Sequence, residues 1–178
     1  MPYFPPCIID GVAVDLSHLE PMMISLKVEK LNGRMLTIDV RFSNHVYTTA
    51  FDPEVHDATH IVMDHKIQRA FDSERHGLSR RLPEMVRLLP ASSVWLTASD
   101  RNFAFMAKAV DEAGRSYPMF FHLRRSQEVA PRNLALVVES AYPVDDPQRV
   151  LAGATKIAFP ILCAKVWKGE PIRSRTRR

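Results

Sequence analysis

Short apolar runs separated by turn dipeptides open the chain. Residues 8–14 predict a short strand with a turn at Asp10 and Gly11, because this dipeptide readily adopts positive φ. Residues 22–28 form a second apolar run that favours β structure. Asn32 and Gly33 follow as a hairpin turn signal, and residues 35–42 then alternate between apolar and polar positions over their latter half. The pattern predicts a β-hairpin over residues 22–42.

In the middle of the chain, the apolar residues recur at helical spacing and no longer alternate. Residues 64–70 predict a short helix, and a second helix is predicted to begin at Asp72 or Ser73, either of which can act as an N-cap. Pro90 is expected to end it. The apolar positions that recur at helical spacing in this segment are Leu78, Leu82, Met85, Val86 and Leu89.

The remainder of the chain returns to strand-like segments. The predicted strands span residues 94–98, 103–110, 117–124, 134–140 and 156–167. Residues 112–115 form a tight turn, and residues 145–153 a loop or one helical turn. Since a parallel crossover needs a dozen or more residues, short links without helices predict antiparallel neighbours.

These elements together predict an α+β fold. We expect an antiparallel sheet of about five to seven strands, with a central helical segment packed on one face. Residues 1–172 form one predicted domain, and residues 173–178 form a basic C-terminal tail. A chain of 178 residues is long enough to bury a core of its own.

The composition of the chain indicates its charge distribution and its expected compartment. The net charge is +4, and four arginines in the last six residues account for the whole excess. Such a tail is either a frayed, solubilising terminus or a nucleic-acid contact. No apolar run is long enough for a membrane span and the N-terminus lacks a signal-peptide pattern, so we expect a cytoplasmic protein without membrane contact. Cys7 and Cys163 have no motif spacing and predict two buried, reduced thiols.

Histidines are the first candidates for chemistry. Four of them cluster at His45, His56, His60 and His65. A helix through His56 and His60 would place both on one face, where they could chelate a metal. Neither a neighbouring glutamate in a protease motif nor a cysteine completes such a set. We therefore expect exposed loop histidines, no metal and no cofactor.

His45 and His122 have the settings that best suit a catalytic group. His45 follows the best strand of the first half, and a strand end fixes a side chain while leaving it near solvent. Alternation would place Tyr47 and Thr49 on its side of the chain. His122 lies within a predicted strand and shares a face with Phe120 and Arg124. Each histidine could equally be a packed or surface residue.

Arginines form the second candidate set. Scattered arginines usually cover a solvated face, whereas two or three that converge in a cleft would clamp a phosphate. Arg101 lies in a turn between two strands. The candidate nucleic-acid contacts are Arg75, Arg124, Arg125, Arg175, Arg177 and Arg178.

Residues 139–143 form the third candidate feature. An apolar strand ends there in Glu139, Ser140 and Tyr142, followed by Pro143. Strand ends on a rigid sheet are suited to functional sites, although the strand could simply leave the core at this point. The sequence contains no glycine-rich phosphate loop, no GxSxG elbow and no cysteine next to a histidine, which argues against nucleotide-driven and nucleophile-elbow chemistry.

Several stretches together resemble a known group of proteins. These stretches are residues 15–19, residues 42–48, residues 69–83 and residues 139–142. They resemble small bacterial proteins that are often carried on mobile elements. A looser similarity, based on a helical segment, an antiparallel sheet and a late Ser-Ala-Tyr, is to the barnase, EndoU, colicin and RelE-like superfamily of metal-independent ribonucleases. That similarity implies a catalytic set of His45 or His122 with Arg101, Ser140 and Tyr142.

Two classes of function follow from these patterns, and the sequence leaves open whether the protein is an enzyme. The leading hypothesis is a metal-independent ribonuclease or RNA-acting, toxin-like protein, with RNA as its substrate and a protein such as an antitoxin as a partner. The alternative is a non-catalytic interaction or nucleic-acid-binding module that uses the sheet face, the apolar N-terminal lead and the basic tail. A third hypothesis is a small-molecule enzyme with a deep pocket lined by Tyr47 and Phe103.

Overall fold

A seven-stranded sheet forms the centre of the structure, which is a computed structural model. It describes residues 2–97, 103–110, 114–126 and 134–172, and for residues 103–110 it describes the backbone only. The strands are β1 (Cys7–Ile9), β2 (Val12–Val14), β3 (Met22–Val28), β4 (Arg34–Phe42), β5 (Thr48–Ala50), β6 (Ile61–Asp64), β7 (Ile67–Phe71), β8 (Ser93–Leu96), β9 (Phe103–Val110), β10 (Ser116–Arg125), β11 (Leu134–Ala141) and β12 (Thr155–Ala158). The helices are α1 (Ser73–Ser79), α2 (Leu82–Leu88), α3 (Pro147–Leu151) and α4 (Phe159–Lys168).

The strand order of the large sheet is β12-β8-β9-β10-β11-β4-β3, and two smaller sheets, β1-β2 and β5-β7-β6, lie outside it. The α+β class and the mostly antiparallel sheet agree with the prediction from the sequence. The predicted turns are also present, since Asp10 and Asn32 have φ of 50° and 54° before glycines of similarly positive φ. Asp72 caps α1 by accepting a hydrogen bond from Arg75 N, as its position predicts.

One strand pair of the large sheet is parallel. β11 runs alongside β4 in the same direction, with Leu134 opposite Ile38 and Val138 opposite Phe42. The expectation of antiparallel neighbours is therefore wrong for this pair. The two strands are far apart in sequence, so the short-link argument, which concerns successive strands, does not fix their relative direction.

Two element predictions are also wrong. The pattern of residues 64–70 predicts a helix, but Asp64 ends β6, and residues 65–70 form the turn and most of β7. The pattern of residues 156–167 predicts one strand, but the strand stops at Ala158 and α4 follows. Pro160 stands in the first turn of that helix, where its missing N–H costs nothing, and Gly169 ends it at φ 72°.

The core lies on one face of the large sheet. Helices α2 and α4 cover this inner face, and their buried side chains include Leu82, Val86, Phe159 and Leu162. Phe121 of the sheet meets Phe159 edge to face, with ring centroids 6.1 Å apart. The opposite face of the large sheet is its outer face.

The alternation of burial along the central strands defines the outer face. On β10, buried side chains alternate with the less buried Phe120, His122 and Arg124. Among the described residues, no helix is long and apolar enough to cross a membrane. Cys7 and Cys163 are buried free thiols, as expected, and burial raises the pKa of both.

Candidate functional site

Because β4 and β11 are parallel neighbours, the chain segments that follow them leave the sheet side by side. We call this place the β4–β11 exits. Both strands end at the same edge of the sheet, and Ser43 N donates a hydrogen bond to Val138 O over 2.9 Å. His45 follows β4 and Tyr142 follows β11, so these two predicted site residues lie at this shared edge. In open sheets the carboxyl ends of parallel strands are common positions for ligand sites.

His45 lies in a single 3-10 turn and not at the strand end itself. The turn spans Asn44–Val46, and the hydroxyl of Ser43 caps it by accepting a hydrogen bond from His45 N. Nε2 of His45 lies 2.9 Å from Oδ2 of Asp64, the last residue of β6. Because a carboxylate accepts, Nε2 carries the proton in the neutral ring and Nδ1 is the basic nitrogen. The imidazole side chain is 36% exposed.

Tyr47, which alternation predicts to lie beside His45, is buried and does not share its exposure. The 3-10 turn breaks the alternation, and Tyr47 is only 2% exposed. Its ring meets Phe4 edge to face, and burial raises the pKa of its phenol. Tyr47 is thus a core residue, and it does not line an open pocket.

Two arginines converge beside His45. Arg75 Nη1 donates to the carbonyl oxygens of His45 and Thr48, at 3.3 and 3.0 Å. Arg69 donates through Nη2 to the same Thr48 oxygen at 3.3 Å, and through Nε to Thr48 Oγ1 at 2.7 Å. Two guanidinium groups therefore share one carbonyl, and burial together with Arg75 lowers the pKa of Arg69. Sequence reasoning named Arg75 as a site residue but missed Arg69, whose position on a strand beside Thr48 only the fold reveals.

Arg75 also reaches the aromatic side of the site. Its guanidinium carbon lies 5.3 Å from the centroid of the Tyr142 ring. The Tyr142 ring in turn stacks on Phe120, with centroids 5.3 Å apart and an angle of 22° between the planes. Arg75, Tyr142 and Phe120 thus form a continuous row, the stacking row. A guanidinium near the face of an aromatic ring is an attractive arrangement.

A β-bulge arranges the next residues on the outer face. Phe120 pairs with Ser140, but Phe121 pairs with Val138, so Glu139 is the extra residue. Burial alternates along β11 until Glu139 and Ser140, which are both half-buried. Bulges re-aim side chains in this way and are frequent next to functional sites.

His122 lies next to this bulge. Its Nε2 is 3.8 Å from Oε1 of Glu139, and both side chains are about two-fifths exposed. His122 therefore lies beside Glu139 on the outer face, two residues along β10 from Phe120, which pairs with Ser140. The structure thus brings His122, Ser140 and Tyr142 onto one strip, and Arg75 connects that strip to His45.

Other predicted residues are placed differently. Arg124 lies on the outer face, whereas alternation directs Arg125 to the opposite face of β10. Arg101 and the tail residues Arg175, Arg177 and Arg178 lie outside the described residues.

The paired loop histidines do not form a metal centre. His56 Nδ1 lies against the backbone of Asp52, and His60 Nε2 lies 3.0 Å from Asp10 Oδ2. His65 takes φ 53° in the turn between β6 and β7. In the part of the chain that the structure describes, no three His, Cys, Asp or Glu side chains converge as metal ligands would.

A second histidine cluster was not predicted from the sequence. His18 Nε2 lies 2.7 Å from Oγ of the fully buried Ser79, whose hydroxyl donates to His76 O. Since that hydroxyl has one proton, His18 must donate through Nε2, and its buried Nδ1 has no partner in the described structure. His18 therefore cannot accept the Ser79 proton, and the pair is not arranged as a nucleophile and base.

Comparisons with known proteins bear on the family. No curated protein and no solved structure matches the chain. The comparisons return neither a ribonuclease of the barnase, EndoU, colicin and RelE-like superfamily nor a mobile-element protein. One protein-family model does match, over residues 6–167, and this covers most of the chain. The chain belongs to the YjaZ family.

Proposed function

We propose that the protein binds single-stranded RNA at the β4–β11 exits and cleaves it without a metal. The observation that carries this proposal is the stacking row of Arg75, Tyr142 and Phe120, which begins beside the His45–Asp64 pair. It combines an aromatic surface, a fixed cation and an oriented histidine on one sheet edge.

The stacking row suits an unpaired nucleotide. Bases stack on aromatic side chains and on guanidinium planes, and each such contact contributes about 1–3 kcal/mol to binding. The guanidinium of Arg75 is held by two carbonyl oxygens and lies 3.6 Å from Asp72 Oδ2 through its Nε. Among the described residues, Nη2 of Arg75 has no partner, so this donor is available to a phosphate oxygen.

The His45–Asp64 pair can supply the base for cleavage. Nδ1 of His45 takes the proton of the ribose 2′-hydroxyl, and Asp64 holds the opposite nitrogen and stabilises the imidazolium that forms. The 2′-oxygen then bonds to the adjacent phosphorus as the bond from phosphorus to the 5′-oxygen breaks. Arg75 stabilises the negative charge that develops on the phosphate oxygens.

The leaving 5′-oxygen needs a proton donor. Tyr142 is the better placed candidate, because Arg75 contacts both its ring and the His45 carbonyl. His122 is the alternative donor and lies farther along the strip. The products are a 2′,3′-cyclic phosphate and a 5′-hydroxyl.

A second candidate function is binding without cleavage. It is favoured by the position of His122, which faces Glu139 beyond the stacking row and does not converge with His45. The two candidates share the RNA surface and differ only in whether His45 acts as a base.

The test uses labelled oligoribonucleotides in the presence of EDTA. Binding is measured by fluorescence anisotropy and cleavage on gels that resolve cyclic-phosphate ends. We expect cleavage of RNA but not of DNA of the same sequence, since DNA lacks the attacking hydroxyl. His45→Ala should slow cleavage by about 10²–10⁴-fold with binding retained, and Tyr142→Ala should weaken binding.

His56→Ala is the matched control, because it removes an exposed loop histidine whose hydrogen bonds are to the Asp52 backbone. It should leave both readouts unchanged. RNA that is bound but never cut would favour the second candidate. RNA that is not bound at micromolar protein would refute both.

A further inference from the structure

A shallow depression lies on the outer face at the other end of the same strands. Its lining residues are Asp39, Arg41, Arg124, Ser126, Ala135, Leu136 and Val137. They come from three adjacent strands and the residue that follows β10. The depression therefore belongs to the face that also carries the stacking row.

The strand register explains why a depression forms there. Arg124 pairs with Ala135 across β10 and β11, and Ala135 pairs with Asp39 across β11 and β4. The short alanine side chain thus lies between two longer ones. Since neighbouring strands are about 4.8 Å apart, the floor at Ala135 is roughly 10 Å wide.

The charges around the floor favour an anion. Arg41 Nε lies 3.1 Å from Oδ2 of Asp39, whose side chain is 9% exposed. The charges of Arg41 and Asp39 therefore nearly cancel, and the exposed Arg124 gives the depression a net positive charge. A planar guanidinium over a small, open floor is a good partner for phosphate oxygens.

The distance to the stacking row fits one continuous strand of nucleic acid. Phe120 and Arg124 are four residues apart on the same face of β10, which corresponds to about 13 Å. His122 lies between them. This span is longer than one nucleotide and far shorter than the reach of a protein that wraps duplex RNA.

We infer that the depression at Arg124, Arg41 and Ala135 is a second phosphate subsite for a single-stranded RNA whose base lies on the stacking row. The inference rests on the proposed function and extends it by giving the strand a path along β10 and β11. The path runs from Tyr142 past His122 to Arg124.

Length dependence of binding tests the subsite. Oligoribonucleotides of two to eight nucleotides are titrated by anisotropy at several salt concentrations, with catalysis blocked by 2′-O-methyl groups. Wild-type affinity should rise once the strand reaches the depression. Arg124→Ala should remove roughly tenfold of that gain, as expected for one charge-assisted contact. It should also lower the slope of log K against log salt by about 0.7.

Arg125→Ala is the matched control, because it removes the same charge one residue away on the opposite face of β10. The Arg125→Ala variant should bind each oligonucleotide with the affinity and the salt slope of the wild type. Ala135→Leu keeps all charges and fills the floor, so it should weaken the longer oligonucleotides only.

The outcomes separate the two proposals. A loss with Arg124→Ala and Ala135→Leu, but not with Arg125→Ala, supports the subsite. If Arg124→Ala and Arg125→Ala behave alike while Tyr142→Ala weakens binding, the subsite is refuted and the proposed function stands. If no oligonucleotide binds at any length, both are refuted.

Discussion

At the scale of single residues, hydrogen-bond direction decides which histidine can act as a base. His45 donates through Nε2 to a carboxylate and keeps Nδ1 for a ligand, whereas His18 donates through Nε2 to Ser79 and buries Nδ1. Both rings use Nε2 for a hydrogen bond to a neighbouring oxygen. Only the partner and the exposure of the second nitrogen distinguish a candidate base from a structural histidine.

His18 gives a prediction for pH. Burial, followed by the charges of Arg80 and His76, lowers the pKa of His18 from 6.5 to about 4. The unfolded chain therefore binds this proton more readily than the folded chain. The stability that the neutral ring contributes is present above pH 6.5 and is lost as the pH falls towards 4.

The measurement is urea unfolding at about pH 7 and pH 4.5 for the wild type and His18→Gln. Between these two pH values, the free energy of unfolding should fall by about 1–2 kcal/mol more in the wild type than in the variant. This figure is reduced from the full pKa shift because the ring is partly exposed. His56→Gln, in an exposed loop, should follow the wild type. Parallel losses in the wild type and His18→Gln would contradict the assignment.

At the scale of elements, α4 shows how an apolar run acquires its structure. Residues 156–167 contain β-branched and apolar residues in a run that fits either a strand or a helix. Phe159, Leu162, Cys163 and Val166 recur at helical spacing and are buried. Pro160 in the first turn and Gly169 after the last residue are typical signals of a helix start and a helix end. The strand prediction is wrong because these two signals outweigh the β-branched residues of the run.

Two neighbouring residues of α4 test its role in the core. Leu162 is fully buried, whereas Ile161 is 39% exposed. Leu162→Ala should lower the free energy of unfolding by about 2–5 kcal/mol, because it leaves a cavity under the sheet. Ile161→Ala should cost less than about 1 kcal/mol. Urea unfolding measures both, and equal losses would show that α4 does not pack as described.

At the scale of the whole molecule, the parallel pair β4–β11 joins the two halves of the chain. β4 belongs to the N-terminal hairpin and β11 to the later strands, and each has a hydrogen-bonded neighbour on both sides. The candidate site lies where these halves meet. The β5-β7-β6 sheet is connected to that site through the Asp64 and Arg69 side chains.

This arrangement predicts the order of amide hydrogen exchange. Amides of β4 and β11 should exchange most slowly, because central strands open only with the global unfolding of the sheet. Those of the two-stranded β1-β2 sheet and of β5-β7-β6 should exchange faster. Mass spectrometry of peptic fragments resolves these segments, and equal protection of the small and large sheets would contradict the expected order.

The sequence by itself determined most of the strands, the glycine turns and the α+β class, because these follow from local period and backbone preference. Residues 103–110 are a strand with the bounds that the pattern predicts, and both hairpin turns lie at their Asx-Gly dipeptides. The hairpin of residues 61–71 was missed, since strands of four and five residues with mixed polarity carry little periodic signal.

Only the tertiary structure decided how these elements meet. The pairing of β4 with β11, the bulge at Glu139 and the convergence of Arg69 and Arg75 on Thr48 each join residues that are distant in sequence or depend on one extra residue in a ladder. Local patterns carry no information on such contacts. The candidate site consists of these contacts, so the sequence could name His45, Arg75 and Tyr142 but not their common edge.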